Sequence, residues 1–147
     1  MTTALAATEI AAKLEAALPG SVVESNGNTV VVKDVQLFRA ASCLKTTAGL
    51  DFNYLNYLTA TDYQTHFELI YDLISIEHNH HIILKTRLTD REKATVASVV
   101  SLWRGADFQE REIYDLFGIN FPEHPNLKRI FLWDGFQGYP LRKDFKH

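Results

Sequence analysis

Asp107-Phe108-Gln109-Glu110-Arg111-Glu112-Ile113-Tyr114-Asp115-Leu116-Phe117-Gly118 decides how the rest of this chain is read. The stretch predicts a helix. Asp107 is an N-cap candidate, because its carboxylate can accept a free amide two or three residues on. With Glu110 it makes Asp-x-x-Glu, a variant of the capping box. Phe108, Ile113, Leu116 and Phe117 recur at roughly helical spacing and predict a buried stripe. Gly118 stands where a left-handed C-terminal cap is expected. Asp107, Glu110 and Glu112 lie near the N-terminus, where the helix dipole favours negative charge. Arg111 and Asp115 are four apart and are expected to pair on the surface.

Beyond Gly118 no helical or strand period is visible. Pro122, Pro125 and Pro140 remove backbone donors, and Gly135 and Gly138 loosen the chain. Yet Phe121, Leu127, Ile130, Phe131, Leu132, Trp133, Phe136, Tyr139, Leu141 and Phe145 are too apolar for a solvated tail. An irregular segment of this length in a compact domain has a task or a partner. The chain is therefore divided into a domain, 1–118, and an extended partner-binding arm, 119–147. The arm either buries its aromatics on its own domain or offers them to another chain, and its composition favours the second. Without that partner, the arm is expected to be mobile from about Phe121 while 8–117 stay folded.

Three blocks in this region carry a resemblance. They are Glu110-Arg111-Glu112-x-x-Asp115-Leu116-Phe117-Gly118-Ile119, His124-Pro125-x-Leu127-x-Arg129-Ile130, and Gly138-x-Pro140-Leu141-Arg142-Lys143-Asp144-Phe145. In this order they resemble the signature of the 30-kilodalton subunit (type C) of NADH–quinone oxidoreductase, respiratory complex I. The resemblance implies an α+β domain with a C-terminal extension. It implies a cofactor-free structural subunit in the hydrophilic arm of the complex. Its location would be peripheral, at the cytoplasmic side of the cell membrane. Implied partners are the quinone-pocket subunit (type D) and the terminal iron–sulfur subunit (type B). Iron–sulfur clusters, flavin and quinone are expected in partner subunits and not in this chain. Some bacteria fuse the family to the quinone-pocket subunit; here two residues follow Phe145, and no fused domain is expected. Related subunits serve membrane-bound hydrogenases and quinone reductases fed by other donors, so the assembly type is better fixed than the donor.

Composition sets the outer bounds. A chain of 147 residues is one domain by size and can bury a sizeable core. At 46% hydrophobic and 22% charged it has an ordinary globular composition. Net charge is −3, which argues against a nucleic-acid binder. The arm holds five Lys/Arg and three Asp/Glu, a modest positive excess on a negative body. Cys43 is the single cysteine, and one thiol cannot hold a cluster or a structural zinc, each of which needs about four ligands. Its expected role is a small buried residue on a helix. Residues 1–20 lack a basic start followed by an apolar run, and no stretch approaches the ~20 apolar residues of a membrane helix.

Taken in order, 8–18 predicts an amphipathic helix capped by Thr8, with Ile10, Leu14 and Leu18 on one face. Ser21–Glu24 and Thr29–Lys33 flank Asn26-Gly27 and predict a hairpin. Asp34 is expected to cap a helix over about 35–48, closed by Gly49, with Val35, Phe38, Ala41 and Leu44 inward and Leu37 a further candidate. Tyr54–Thr61, His66–Ser75 and His81–Leu88 carry the β-branched and aromatic residues of strands. A helix is expected from about 94 to 103, burying Val96, Val99, Val100 and Trp103. The fold class is α+β: a mostly antiparallel sheet, helices packed on one face, and a long irregular C-terminal arm.

Three groups of residues bear on chemistry. His78-x-His80-His81 has metal-ligand types, but at a predicted hairpin turn, where exposed polar residues are normal. Glu110, Glu112 and Asp115 with His124 have the parts of an acid–base site, and a free-standing α+β enzyme is the competing reading. Glu110 and Glu112, roughly 200° apart on a helix, do not face one another. Cradle motifs for nucleotides, flavin or clusters are missing from the sequence. The residues assigned to partner binding are Glu110, Arg111, Glu112, Asp115, His124, Arg129, Trp133, Arg142, Lys143 and Phe145. Trp133, Arg142 and Phe145 are the expected anchors, because Trp and Arg dominate interface hot spots and Phe adds apolar area.

Overall fold

The computed structural model describes residues 3, 4 and 6–146; Met1, Thr2, Leu5 and His147, the arm's last residue, lie outside it. In chain order the elements are β1 (Thr3–Ala4), α1 (Ala7–Ala17), β2 (Val22–Asn26), β3 (Thr29–Val32), a 3-10 turn (Asp34–Gln36), α2 (Leu37–Thr46), β4 (Tyr54–Asp62), β5 (Phe67–Ser75), β6 (His80–Leu88) and α3 (Ala106–Phe117). One sheet joins the strands in the order β2-β3-β6-β5-β4, and two-residue β1 pairs with β6. The β2/β3, β5/β6 and β4/β5 pairs are antiparallel; β3/β6 and β1/β6 are parallel. This is the expected α+β architecture. Asn26 pairs with Thr29 across the predicted hairpin, and Gly27 takes the left-handed φ of +61° that the turn requires.

The period of two in β4, β5 and β6 divides the sheet into a core face and an outer face. Leu69, Tyr71 and Leu73 of β5 stand opposite Thr86, Leu84 and Ile82 of β6. They share one core with Ile10 and Leu14 of α1, Leu37, Ala40 and Leu44 of α2, and Ile113 and Phe117 of α3. All three helices therefore cover one side of the sheet. On the outer face the buried acids Glu68 and Asp72 are matched in place. Glu68 pairs with Lys85 and Arg87, while Asp72 accepts from His81 and from Asn56 Nδ2.

Four local expectations are corrected. Residues 94–103 form no helix. Val96 N–H donates to Asn120 C=O at 3.0 Å, Ser98 N–H to Pro122 C=O at 3.0 Å, and Asn120 N–H to Ala94 C=O at 2.9 Å. Residues 94–98 thus run extended beside 120–122, and 99–103 close a turn in which the Leu102 and Trp103 amides donate to Val99 C=O. Val96, Val99 and Trp103 are buried as predicted, and Val100 is half-buried. Second, Asp34 opens a 3-10 turn rather than the helix, which rotates Val35 and Phe38 outward and Leu37 inward. Third, α3 begins at Ala106, two residues before the start that an Asp107 cap implies, with no side-chain cap, so Asp107 and Glu110 make no capping box. Phe108 points to solvent, outside the buried stripe. Fourth, α1 starts at Ala7, and Thr8 lies inside the helix instead of capping it.

Candidate functional site

The residues picked out in α3 and the arm do come together, but much of their surface faces inward. Asp115 is fully buried. Its Oδ2 accepts three successive amides of the arm: Ile130 at 3.2 Å, Phe131 at 2.8 Å and Leu132 at 3.1 Å. Its Oδ1 lies 3.3 Å from Arg129 Nε. The expected Arg111–Asp115 surface pair is absent from this arrangement. Arg111 Nε donates to Lys128 C=O at 3.2 Å, and its guanidinium lies over Phe108. A carboxylate that can collect three amides and a guanidinium from another segment gives up a solvated partner four residues away.

Arg129 extends this anchor. Its two terminal nitrogens donate to Phe136 C=O and Gly138 C=O, both at 3.0 Å, with the rings of Phe136 and Tyr139 beneath the guanidinium. The planar fork holds a loop that has no ladder of its own. Arg142 also turns inward. Its Nε donates to Phe117 C=O at 2.6 Å, satisfying a carbonyl at the C-terminus of α3, and it lies 5.0 Å above Phe67 and Tyr139. Leu141 N–H donates to Leu116 C=O, and Lys143 N–H to Asp62 Oδ2 at 2.8 Å, while the Lys143 side chain is exposed. Gly118 has the predicted left-handed φ of +75°. A Cβ there would meet the Tyr139 ring at 2.6 Å, so the cap is also a site of close approach.

Asp62 and Arg91 close the far end of the arm. Arg91 Nη2 donates to Asp62 Oδ2 at 3.0 Å and its other nitrogen to Oδ1. With the Arg91 guanidinium, the Lys143 amide and the Gln64 amide all on it, the Asp62 carboxyl is held far below its usual range. No sequence signal joins Asp62 to Lys143 of the arm, 81 residues away.

Glu110 is the other buried acid. Its Oε1 accepts from Ser98 Oγ at 2.5 Å and its Oε2 from Val99 N–H at 2.8 Å. Burial pushes its carboxyl up to about 7, against the pull of those two donors. The buried Tyr71 hydroxyl nearby is raised in turn, by its own burial and then by Glu110. The His124 side chain is fully enclosed. Its Nδ1 accepts from Asn126 N–H at 2.9 Å, which leaves the proton on Nε2 for the Asp107 C=O at 3.2 Å, with Asp107 Oδ1 3.0 Å away. Glu112 is exposed. Glu110 and His124 therefore each serve a different segment and do not converge on one cleft.

Several large apolar side chains of the arm also face outward. Trp133 is 69% exposed, Phe131 64% and Leu141 51%. Trp133 makes an edge contact with Phe136 at 4.9 Å, and Phe136 stacks on half-buried Phe145 at 6.3 Å. Exposed aromatics on a fastened backbone are the physical form of a docking surface. The histidines of the β5–β6 turn are shared among different partners. His78 Nε2 lies 2.7 Å from Asp51 and stacks on His80, while His81 serves Asp72 and Asn28. Asp51, Glu77 and His78 bring one ligating atom each within 4.8 Å, but the Asp51–His78 contact already satisfies that pair.

Residues 30–147 match the family model described as respiratory-chain NADH dehydrogenase, 30 Kd subunit. The type C subunit of the NADH-quinone oxidoreductase of Citrifermentans bemidjiense is 41% identical over 120 residues, 80% of this chain and 73% of that one. Its counterpart in Roseiflexus castenholzii is 37% identical over 142 residues, 92% of this chain and 81% of that one. An NADH-quinone oxidoreductase protein of Phocaeicola vulgatus that carries the double designation C/D is 42% identical over 103 residues, 69% of this chain but only 20% of that one. Among solved structures, a chain of the membrane-bound sulfane sulfur reductase, an archaeal respiratory membrane complex, aligns with a TM-score of 0.75 at 25% identity, over 95% of this chain and 85% of that one. A trypsin-resistant fragment of Nqo5 aligns with a TM-score of 0.66 at 25% identity, over 82% of this chain and 98% of the fragment.

Proposed function

Because the chain belongs to the family of the respiratory-chain NADH dehydrogenase 30 Kd subunit, we propose that it is a cofactor-free structural subunit of the hydrophilic arm of a proton-translocating NADH–quinone oxidoreductase. Its task is to hold the quinone-pocket subunit, through the segment 119–147, with the terminal iron–sulfur subunit as a second neighbour. Electrons and quinone pass through those partners. The chain meets the membrane only through the complex, and among the described residues no helix is long and apolar enough to cross one.

The observation that carries this reading is the outward face of the arm. Asp115, Arg129 and Arg142 fasten its backbone from within, so Phe131 and Trp133 are presented at little further ordering cost. The double designation C/D supports the choice of partner, since a fused pair is a neighbouring pair. The alternative of an acid–base enzyme finds little support in a His124 that is enclosed and a Glu110 whose two oxygens are both taken. A second assembly fits as well. The 0.75 alignment with the sulfane sulfur reductase chain favours a subunit of a related respiratory membrane complex.

Trp133→Ala tests the reading. Trp133 is mostly exposed, so the variant should fold with a melting midpoint close to the parent's. Loss of a hot-spot anchor costs about 2 kcal/mol, roughly thirtyfold in affinity. The variant should fail to co-purify with the quinone-pocket subunit, and quinone reductase activity should fall in proportion to lost assembly. Complexes of normal subunit content with abolished turnover would place Trp133 in the chemistry and defeat the scaffold reading.

A further inference from the structure

We propose that a groove between the start of α2 and the 97–101 segment is a second docking site, for an amphipathic polypeptide segment of a neighbouring subunit. This goes beyond the role of the arm and rests only on the chain's being part of an oxidoreductase complex. The groove has a volume of about 460 Å³ and is lined by Val35, Phe38 and Arg39 on one wall and by Ala97, Ser101 and Glu123 with Ser98 on the other. That volume falls within the range of about 300–1,000 Å³ typical of sites that enclose a ligand.

Val35 is 81% exposed and Phe38 37%. The 3-10 turn rotates these two large apolar side chains away from the core and into one concavity. Scattered apolar residues on a surface need no explanation, but two lining the same groove do. The opposite wall is rigid. Ser98 Oγ and Val99 N–H are both taken by the buried Glu110 carboxylate, and Ser98 N–H is tied to Pro122 C=O. The groove is thus formed before any occupant arrives, which lowers the ordering cost of binding.

Charge identifies the occupant. Arg39, on α2, and Glu123, at the start of the arm, are exposed and have no ion pair or hydrogen-bonding side-chain partner among the described residues. An apolar groove with one uncompensated base on one element and one uncompensated acid on another fits a segment that brings apolar side chains between an acidic and a basic one. A fatty-acyl or isoprenoid chain would fill the apolar part and leave both charges unanswered. A nucleotide or other polyanion would be repelled by Glu123. Arg39 also offers a planar fork suited to a carboxylate.

The test replaces Phe38 by a benzophenone amino acid in the full chain, assembled in its membrane complex, and identifies the photo-crosslinked peptide by mass spectrometry. The expected product is one dominant peptide of a neighbouring subunit in which apolar residues lie between an acid and a base. Arg39→Glu should lower the yield per assembled complex at least about tenfold, and exchanging the partner's acid for Arg should restore it. The free Arg39→Glu chain should melt where the parent does, since Arg39 has no partner to lose. Crosslinks confined to this chain, to a second copy or to lipid overturn the proposal. So does a yield that Arg39→Glu leaves unchanged.

Discussion

Asp115→Asn is the sharpest probe of how the arm is held. The substitution keeps the shape of the side chain and removes its charge. In the parent, one buried oxygen accepts the amides of Ile130, Phe131 and Leu132, and the other faces Arg129 Nε at 3.3 Å. Each hydrogen bond to a charged group contributes about 1.5–3 kcal/mol, and removing one partner of a buried ionic contact costs about 3–5 kcal/mol. The new amide also turns a donor toward donors. The full penalty need not fall on the whole fold, because the arm can open and hydrate its amides while the sheet stays intact. The expected cost is therefore about 3 kcal/mol, felt as a more favourable local opening. Amide hydrogen exchange reads this directly. Protection at Ile130, Phe131 and Leu132 should fall on the order of a hundredfold, since every 1.4 kcal/mol is tenfold. Protection at Leu69, Tyr71 and Leu73 in β5 should change far less. Unchanged protection at 130–132 would show that the Asp115 contacts do not hold the arm. An equal loss in β5 would show that the arm and the sheet unfold as one unit.

Two further outcomes follow from the same geometry. The Glu110 carboxyl is raised from 4.5 to about 7 when folded, so the folded state holds an extra proton between those values. Stability contributed by this group therefore falls as pH rises from about 4.5 to about 7, and the loss is complete above that. Glu110→Gln lacks this dependence, so in urea unfolding its stability relative to the parent should rise by about 3 kcal/mol across the window; parallel pH profiles would refute the assignment. Gly118→Ala combines a left-handed φ with a contact at 2.6 Å to Tyr139 and should destabilise by about 2–3 kcal/mol. In a Tyr139→Ala background only the backbone part, about 1 kcal/mol, should remain, and equal costs in both backgrounds would mean that the ring does not press on the cap.

The sequence by itself determined what depends on near neighbours. The strands β4 to β6 follow from side-chain alternation, the β2/β3 hairpin from Asn26-Gly27, and the end of α3 from Gly118, each within a few residues. The three blocks of residues that carry the resemblance also marked the family correctly. Tertiary structure decided which groups meet. Glu110 and Asp115 looked like a capping acid and a surface acid, because a helical wheel cannot show a segment folding over it. Their partners lie 11 to 17 residues away, and those partners draw both carboxylates into the interior. The 94–103 segment has a helix-compatible pattern, but pairing with 120–122 takes up the backbone of 94–98 and leaves only a single turn over 99–103. Val35 and Phe38 went outward because a 3-10 turn shifts the phase of the residues that follow, which residue type alone does not reveal. The arm shows the same limit most plainly. Its composition led to the expectation of a partner surface, but only the fold showed that Arg142 is turned inward to α3 while Trp133 faces out.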